Sequence, residues 1–341
     1  MKEAMYYEKL NENKVQCHLC PHNCLIAKDK LGICRNRKNI DGILYSLNYA
    51  KVSSVNLDPI EKKPLYHFYP GSNILSLGTL GCNLGCLFCQ NYNISQASVG
   101  ENSDLVDDLT PEDAVKLALK YKNSGNIGIA YTYNEPFMWY EYVYDTARLI
   151  KKAGLKNVLV TNGFVNEAPL LDILPFIDAA NIDLKSMSAD FYEKLCRAKL
   201  QPVLNTIKMM KEKCHIELTN LVITNKNDSE EDIKNLVDWI YNNLGKDTPL
   251  HFSAYRPCYK MNEKSTNEKK LEFAYDYASK KLNFVYVGNI NNPDWSDTFC
   301  PGCGAAVIKR GYMDTEEINI KEENKCAKCG YKINIRGLAL H

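Results

Sequence analysis

Signals for β-strands and α-helices alternate between residues 73 and 288, and this alternation limits the fold more than any other feature. Helix-start signals such as Thr110 before Pro111, and Ser229 three residues before Asp232, separate short apolar runs. The runs predicted as strands are 73–80, 127–133, 157–161, 179–184, 215–223, 250–255 and 283–288. Strands that alternate with helices pair in parallel. The sequence therefore predicts an α/β fold, a partial (β/α)6 TIM-like barrel with its chemistry at the carboxyl ends of the strands.

Bulk composition narrows the class of protein and its surroundings. The 341 residues include 42 Lys and Arg against 41 Asp and Glu, so the net charge of +1 gives no electrostatic reason to expect nucleic acid or membrane as partner. No apolar run approaches the length of a membrane span, and the charged first residues do not resemble a secretory signal. We therefore expect a cytoplasmic protein. In a reducing compartment its 14 cysteines are expected to be metal ligands or catalytic groups.

Eleven of the cysteines fall into three clusters along the chain. The clusters are Cys17, Cys20, Cys24 and Cys34; Cys82, Cys86 and Cys89; and Cys300, Cys303, Cys326 and Cys329. They divide the chain into three predicted units. These are a cysteine-rich segment over 1–70, the barrel over 71–290, and a zinc-ribbon or rubredoxin-like module over 291–341.

The middle cluster has C-x3-C-x2-C spacing in "GCNLGCLFCQN", directly after the first predicted strand. A cubane iron–sulfur cluster normally takes four thiolates, so three of them leave one iron open to a small chelating molecule. Gly81 and Gly85 allow the positive φ and the close approach that wrapping a cluster requires. The alternative is a loop with incidental or zinc-binding cysteines.

This spacing, with Phe88 before the last cysteine, resembles the signature of the radical SAM superfamily. The resemblance implies a [4Fe–4S] cluster whose open iron is chelated by S-adenosylmethionine. It also implies reductive cleavage of the sulfonium to a 5′-deoxyadenosyl radical that abstracts hydrogen from a substrate. Such chemistry further implies an electron donor, for example a flavodoxin or ferredoxin.

Residues at two successive strand ends fit the same resemblance. Glu135 in "YTYNEP", beside Asn134, stands where the superfamily places a carboxylate that holds the methionyl ammonium. Thr161 and Asn162 in "VTNG" stand at the next strand end. The alternative for each of them is ordinary capping of a strand end.

Two further motifs resemble the activases of glycyl radical enzymes. Asp183 and Lys185 in "NIDLK" match a pair that contacts the bound cofactor in those relatives. His251 in "PLHFS" stands where they place a histidine near the adenosine. The alternative for His251 is a hydrogen-bonded histidine in the core.

The outer cysteine clusters differ in how firmly they indicate a metal. "CPGCG" and "CAKCG" are two C-x2-C knuckles with 22 residues between the inner cysteines, which predicts a structural zinc site. The N-terminal "CHLCPHNC…GIC" predicts either a second zinc site or an auxiliary iron–sulfur cluster, and both remain open. His18 and His22 are possible substitute ligands, but we expect them to face solvent or to hold the turn.

The chain as a whole resembles one family, the radical SAM component of the AmmeMemoRadiSam system, which lies near the pyruvate formate-lyase activases. The motifs that carry this resemblance are "CHLCPHNC", "GICRNR", "KPLYHFYPGS", "GCNLGCLFCQN", "TYNEP", "TNG", "NIDLK", "VGNI" and "CPGCG…CAKCG". The resemblance implies Memo-like and AMMECR-like proteins as candidate partners. It does not imply a substrate.

Three functions remain open at this point, together with one candidate catalytic residue. The chain is predicted to be a radical SAM enzyme, a glycyl radical activase that acts on a protein glycine, or a non-catalytic metal-binding or assembly protein. Cys258 follows a predicted strand end and could donate hydrogen to a substrate radical, because an S–H bond is weak. The alternative for Cys258 is a small buried cysteine. Cys196 and Cys214 are expected to lie away from the barrel mouth.

Overall fold

A computed structural model describes residues 1–290, 292–311 and 314–338 of the chain, and its centre is an eight-stranded sheet. The strands are β1 (Ser54–Pro59), β2 (Asn73–Gly78), β3 (Asn126–Tyr131), β4 (Lys156–Thr161), β5 (Ala179–Asp183), β6 (His215–Val222), β7 (Leu250–Ala254) and β8 (Val285–Gly288). Their order in the sheet follows the chain, and every pair is parallel except β1 with β2. The predicted α/β fold with a parallel sheet is confirmed.

Helices connect the parallel strands, and α2 and α7 begin where the signals at Thr110 and Ser229 predict. The helices are α1 (Tyr92–Ser95), α2 (Pro111–Lys120), α3 (Tyr140–Lys152), α4 (Glu167–Ile173), α5 (Ala189–Phe191), α6 (Leu200–Lys213), α7 (Glu230–Leu244) and α8 (Glu268–Ser279). The hydroxyl of Thr110 accepts the N–H of Asp113 at 3.1 Å, and the hydroxyl of Ser229 accepts that of Asp232 at 3.1 Å. Among the described residues, no helix is both long and apolar enough to cross a membrane.

The barrel is open, because β1 and β8 form the two edges of the sheet. The antiparallel strand β1 was not predicted, and it lies inside the segment 1–70 that was expected to stand apart from the barrel. The proposed boundaries between units therefore stay predictions. The boundary residue Asn291 lies outside the described residues.

The N-terminal segment forms small antiparallel sheets that pack on the barrel. Their strands are Lys2–Glu3, Tyr7–Lys9, Val15–Cys17, Leu25–Ile26, Arg37–Ile40 and Ile43–Ser46, and Lys51–Val52 pairs with Asp107–Asp108. The guanidinium of Arg37 forms an ion pair with Glu141 of α3, and both side chains are buried. Glu141 also accepts the N–H of Met5 at 2.8 Å. A charged pair inside a shared apolar core thus joins the segment to the barrel.

The C-terminal segment packs on the last strand of the barrel. Its strands are Thr298–Phe299, Ala306–Arg310, Thr315–Ile318, Ile320–Lys321 and Lys325–Cys326. Phe284 and Tyr286 share an apolar cluster with this segment. The imidazole of His67 joins the two parts, because its Nε2 lies 2.6 Å from the hydroxyl of Tyr286 and its Nδ1 lies 2.8 Å from the carbonyl of Asn334.

Candidate functional site

Two glycines shape the central cysteine loop, which follows β2. Gly81 has a φ of +92°, and a Cβ there would lie 2.2 Å from Nδ2 of Asn36 and 2.6 Å from the carbonyl oxygen of Cys34. Gly85 donates its N–H to the carbonyl of Cys196 at 2.9 Å, and a Cβ there would lie 2.8 Å from Cδ of Arg197. The loop therefore needs positive φ at Gly81 and close approach at both glycines, as the sequence indicates.

Polar groups surround two of the three thiols of the loop. The sulfur of Cys82 lies 3.4 Å from the N–H of Leu84 and 3.6 Å from Nδ2 of Asn162. The sulfur of Cys89 lies 3.2 Å from the hydroxyl of Ser95. Hydrogen bonds to sulfur stabilise thiolate ligands of iron–sulfur clusters. These surroundings fit a loop whose sulfurs bind a cluster.

A cavity of about 490 Å³ opens at the carboxyl ends of the strands, and all three loop cysteines line it. Six of the predicted cofactor-binding residues line the same cavity: Phe88, Asn134, Thr161, Asn162, Asp183 and Lys185. The volume lies in the range of small-molecule sites, roughly 300–1,000 Å³. The structure thus brings together residues from four strand ends around the cysteine loop.

Glu135 lies behind the wall of this cavity and is fully buried. Its carboxylate accepts hydrogen bonds from the hydroxyl of Thr161 (2.8 Å), the N–H of Asn162 (2.8 Å) and the N–H of Phe137 (3.1 Å). Burial raises the pKa of Glu135 to about 7, although these hydrogen bonds oppose the rise. The carboxylate joins the ends of β3 and β4. Its contact with a methionyl ammonium stays a prediction.

Asn134 fastens the beginning of the cysteine loop to the end of β3. Its Nδ2 donates to the carbonyl of Gly81 at 2.6 Å, and its Oδ1 accepts the N–H of Thr79 at 3.3 Å. The preceding Tyr133 has a φ of +73°, a left-handed conformation that turns the chain at this strand end. Asn134 therefore has a visible role in positioning the loop.

Asp183 and Lys185 form an ion pair at the end of β5, with 2.8 Å between Nζ and Oδ2. Burial alone would lower the pKa of Lys185, but the negative charges of Asp183 and of a Cys86 thiolate raise it. Lys185 therefore keeps its positive charge beside the sulfurs, and Asp183 presents a partly exposed carboxylate to the cavity.

Cys196 lies in a helical turn, but it touches the cysteine loop, so the prediction that it lies away from the barrel mouth is wrong. It ends a π-helical turn over Tyr192–Cys196 and is fully buried. Its thiol hydrogen-bonds to Cys86, which lowers the pKa of the Cys86 thiol. The two residues are 110 positions apart, so no local pattern connects them. Cys214 lies just before β6, at the opposite end of the barrel, as expected.

Cys258 contacts the cysteine loop, whereas His251 does not line the cavity. The sulfur of Cys258 lies 3.5 Å from the carbonyl oxygen of Cys89. Nε2 of His251 lies 2.7 Å from the buried carboxylate of Glu217, and its ring stacks on Tyr286 at 5.0 Å. The surroundings of His251 are those of a hydrogen-bonded core histidine, because Glu217 holds its ring in the core. The catalytic role of Cys258 and the adenosine contact of His251 stay predictions.

Sequence reasoning missed a cationic group at the cavity rim. Lys62 and Lys63 line the cavity and bind the two oxygens of Asp58 at 2.8 and 2.7 Å. Tyr133 donates its hydroxyl to the same carboxylate at 2.6 Å. Burial lowers the pKa of Lys63 to about 8, although Asp58 opposes the fall. The spacing of Lys62 and Lys63, four and five residues after Asp58, was the sequence signal that could have indicated this ion-paired group.

The two outer cysteine groups have different surroundings: the C-terminal sulfurs lie close together, whereas the N-terminal cysteines line a cavity. The sulfurs of the C-terminal group all lie within 4.8 Å of one another, with 3.6 Å between Cys300 and Cys329 and 3.8 Å between Cys303 and Cys326. Four thiols at this spacing fit a single tetrahedral metal ion. The N-terminal group, which is Cys17, Cys20, Cys24 and Cys34, lines an apolar cavity of its own.

A larger cavity of about 710 Å³ lies at the other end of the barrel, near the start of β4 and β6. Its lining includes four lysines and one arginine: Lys151, Lys156, Lys211, Lys213 and Arg336. Catalytic groups of barrel enzymes lie at the carboxyl ends of the strands. We therefore take the smaller cavity, which contains the cysteine loop, as the candidate site.

Comparison with known proteins identifies the class of this site. Residues 77–240 match the family model of the Radical SAM superfamily. The whole chain is 44% identical over 339 residues to an uncharacterized protein of Methanocaldococcus jannaschii, a match that covers 98% of this chain and 99% of the relative. A stretch of 138 residues is 29% identical to the pyruvate formate-lyase 1-activating enzyme of Escherichia coli. It covers 39% of this chain and 54% of that enzyme.

Solved structures agree on the fold. SuiB of Streptococcus suis, in its complex with S-adenosylmethionine, superposes on 64% of this chain and 52% of its own with a TM-score of 0.50 and 15% identity. The chain belongs to the radical SAM superfamily and is homologous to pyruvate formate-lyase activating enzymes. It is therefore a radical SAM enzyme, and membership implies a [4Fe–4S] cluster and S-adenosylmethionine. The interpretation as a non-catalytic metal-binding protein is set aside.

Proposed function

We propose that Cys82, Cys86 and Cys89 hold a [4Fe–4S] cluster at which S-adenosylmethionine is cleaved reductively. When bound, such a cluster would supply the one electron that divides S-adenosylmethionine into methionine and a 5′-deoxyadenosyl radical, and that radical would abstract hydrogen from an unidentified substrate. The observation that carries the proposal is that one cavity is lined by these three thiols and by six of the eight predicted cofactor-binding residues.

The side chains around the cavity orient the cofactor and exclude water. Asp183 offers a carboxylate to a cationic group, and Lys185 offers a cation to a carboxylate. Asn162 presents its amide beside the sulfur of Cys82. Glu135, with its pKa near 7, would ionise fully once a methionyl ammonium lies beside it, because an opposite charge favours the ionised form.

Cleavage of S-adenosylmethionine provides the test. We expect the anaerobically reconstituted protein, with a strong reductant, to form 5′-deoxyadenosine. Cys82→Ala, Cys86→Ala and Cys89→Ala should each abolish it. Cys214→Ala is the matched control, because that thiol lies at the opposite end of the barrel. Normal turnover in any variant of the loop would refute the proposal.

A second candidate is activation of a glycyl radical enzyme. The similarity to the activating enzyme of Escherichia coli over 138 residues favours it. The substrate would then be a glycine of a partner protein, and the product a protein radical with a characteristic EPR doublet. The two outer cysteine groups favour the first candidate, because a barrel alone would serve an activase. Formation of a glycyl radical in a co-expressed partner protein would favour the activase function over the first candidate.

Within the superfamily, we propose membership of the AmmeMemoRadiSam system, in the cytoplasm, with Memo-like and AMMECR-like proteins as partners. The motifs quoted above support the assignment, and the cysteines, all of which are free thiols, fit a reducing compartment. A flavodoxin or ferredoxin is the proposed electron donor. Reduced flavodoxin should replace the chemical reductant in the cleavage assay. If neither reduced flavodoxin nor reduced ferredoxin supports cleavage, the proposed electron donor is wrong.

We propose that the C-terminal group holds structural zinc and that the N-terminal group also binds metal. Support for zinc comes from the sulfur spacing and the two knuckles. Cys303→Ser should remove about one zinc per chain and leave the iron of the central loop unchanged. Unchanged zinc content in that variant would contradict the assignment.

We propose that Cys258 donates a hydrogen atom to a substrate radical, which breaks its S–H bond and leaves a thiyl radical that one electron from the proposed flavodoxin or ferredoxin and one proton return to the thiol. Support comes from its contact with the carbonyl of Cys89 at the cluster loop. Cys258→Ala should still cleave S-adenosylmethionine but give a changed product or stalled turnover. The same product at the same rate would assign Cys258 to packing alone.

A further inference from the structure

We propose that the four N-terminal cysteines hold a second iron–sulfur cluster of the [4Fe–4S] type, and that His22 couples this site to the central cysteine loop. The sequence leaves zinc and an iron–sulfur cluster open as alternatives for these four thiols. The coupling rests on the proposed function, since it requires a cluster on the central loop.

Sulfur spacing separates the two kinds of site. Zinc–sulfur bonds of about 2.3 Å place the sulfurs of a tetrahedral zinc site roughly 3.8 Å apart. The C-terminal sulfurs meet that spacing, whereas no three of the described N-terminal sulfurs lie within 4.8 Å of one another. The central loop shares the wider spacing. A cubane needs wider spacing than one ion, because four irons and four sulfides lie between its ligands.

The cavity between the N-terminal sulfurs has the lining of a buried cluster site. All four cysteines line it, with apolar neighbours that include Leu19, Ile26 and Met138. Three of the cysteines are buried and Cys24 is half-buried. An apolar shell that keeps water away is one of the features by which proteins set the properties of iron–sulfur clusters.

A buried arginine faces the same cavity with an unused donor. Arg37 lines the cavity and is 1% exposed. Its Nη1 donates to the carbonyl of Met5 at 2.9 Å and its Nη2 pairs with Glu141, but its Nε has no hydrogen-bond partner among the described residues. Buried donors are almost always satisfied. An anionic group bound by the four thiolates would accept this N–H.

Backbone donors also point at the sulfurs. The backbone N–H of His22 favours the thiolate form of Cys20, that of Ile33 favours the thiolate of Cys24, and that of Asn36 favours the thiolate of Cys34. Hydrogen bonds to sulfur tune the potential of iron–sulfur clusters. The site therefore has four thiols, three backbone donors and one cationic donor converging on one space.

The N-terminal site touches the central loop at two points. Nε2 of His22 lies 2.8 Å from the carbonyl oxygen of Asn83, the residue after Cys82. The carbonyl of Cys34 lies against Gly81, the residue before Cys82, where no Cβ would fit. Both neighbours of Cys82 in the chain are thus held by the N-terminal site. His22 is a positioning residue for the central loop.

Metal and sulfide content of a variant that lacks the central site tests the cluster. The full-length triple variant Cys82→Ala, Cys86→Ala, Cys89→Ala is produced with ⁵⁷Fe and purified without oxygen. We expect about four irons and about four sulfides per chain, and a Mössbauer spectrum of a [4Fe–4S] cluster. Adding Cys20→Ser and Cys34→Ser to this variant should remove the iron and the sulfide and leave the C-terminal zinc. Absence of sulfide with a second zinc ion would overturn the proposal.

If the triple variant does not fold, the sulfide content of wild-type protein and of the double variant provides a second test. Wild-type protein should contain about eight sulfides per chain, and Cys20→Ser with Cys34→Ser about four. Equal sulfide in the two proteins would overturn the proposal. Failure of the proposed function appears differently, because it removes 5′-deoxyadenosine formation from wild-type protein without changing the sulfide of the triple variant.

Spectroscopy of the central cluster tests the role of His22. His22→Ala should shift the EPR signal and the midpoint potential of the cluster that responds to S-adenosylmethionine. His22→Gln keeps a donor and should restore most of the wild-type signal and potential. His18→Ala, at an exposed imidazole, is the matched control and should leave the signal unchanged. A His22→Ala spectrum and potential identical to wild type would overturn the coupling.

Discussion

The N-terminal and C-terminal cysteine groups have the same number of thiols but opposite relations to the active site. The N-terminal group touches the central loop through His22 and through the contact of Cys34 with Gly81. The C-terminal group packs on Phe284 and Tyr286, within the core cluster of the last strand. A count of cysteines therefore says little about what a group does. Its contacts with the barrel distinguish a group that touches the central cysteine loop from one that packs on the last strand.

The largest difference is expected from glycine substitutions in the two regions. In Gly81→Ala the new Cβ would overlap the carbonyl of Cys34 and the amide of Asn36, so the free energy of unfolding should fall by more than about 4 kcal/mol. Gly304→Ala is the control, because φ is +68° there and nothing lies within 4 Å of the Cβ. It should lower the free energy by only about 1–2 kcal/mol. Urea denaturation gives both values, and equal losses would remove the distinction between the regions.

Two buried arginines give the next comparison. Arg37→Met leaves the carboxylate of Glu141 buried without its partner, which should cost about 3–5 kcal/mol of unfolding free energy. Arg310, in the C-terminal segment, donates instead to neutral oxygens, at 2.8 Å to the carbonyl of Tyr66 and 2.8 Å to the hydroxyl of Thr298. Arg310→Met should cost about 1–3 kcal/mol. A larger loss at Arg310 in denaturant titrations would reverse the expected order.

Acid should weaken the C-terminal contact in particular. Burial lowers the pKa of His67 to about 3, although the nearby carboxylate of Glu217 opposes the fall. The unfolded chain takes up this proton near pH 6.5, so the contribution of His67 is present above that pH and is lost as the pH falls toward 3. At pH 4.5 the free energy of unfolding should be about 2–3 kcal/mol lower than at pH 7 because of His67.

Denaturation of His67→Gln at pH 7 and pH 4.5 checks this prediction. The variant should lose that part of the acid dependence, because its amide can bond to Tyr286 and Asn334 without titrating. His18→Gln, at an exposed imidazole, should keep the acid dependence of the wild type. If His67→Gln and wild type lose the same stability between the two values of pH, the proposed cause is incorrect.

Local patterns in the sequence predicted the scaffold, because their physical causes act over a few residues. The cap at Thr110 and the one at Ser229 each span three residues, and both are formed. The cysteine spacing likewise lies within one loop. The contacts that distinguish this chain are long-range: Cys196 with Cys86, His22 with Asn83, and Arg37 with Glu141. No pattern in one sequence reports which distant side chains will meet. For the same reason β1 was missed, since its pairing with β2 depends on how the N-terminal segment returns to the barrel edge.

The pairing of Arg37 with Glu141 has a consequence for how the protein is made. During synthesis the N-terminal segments of a chain begin to fold before later ones exist. The thiols from Cys17 to Cys34 and the guanidinium of Arg37 therefore leave the ribosome well before α3, which carries Glu141. Until about a hundred further residues have emerged, the guanidinium has no carboxylate to accompany it into the core, so it stays hydrated. The N-terminal segment of the nascent chain should therefore complete its folding only after β3 and α3 have been synthesised.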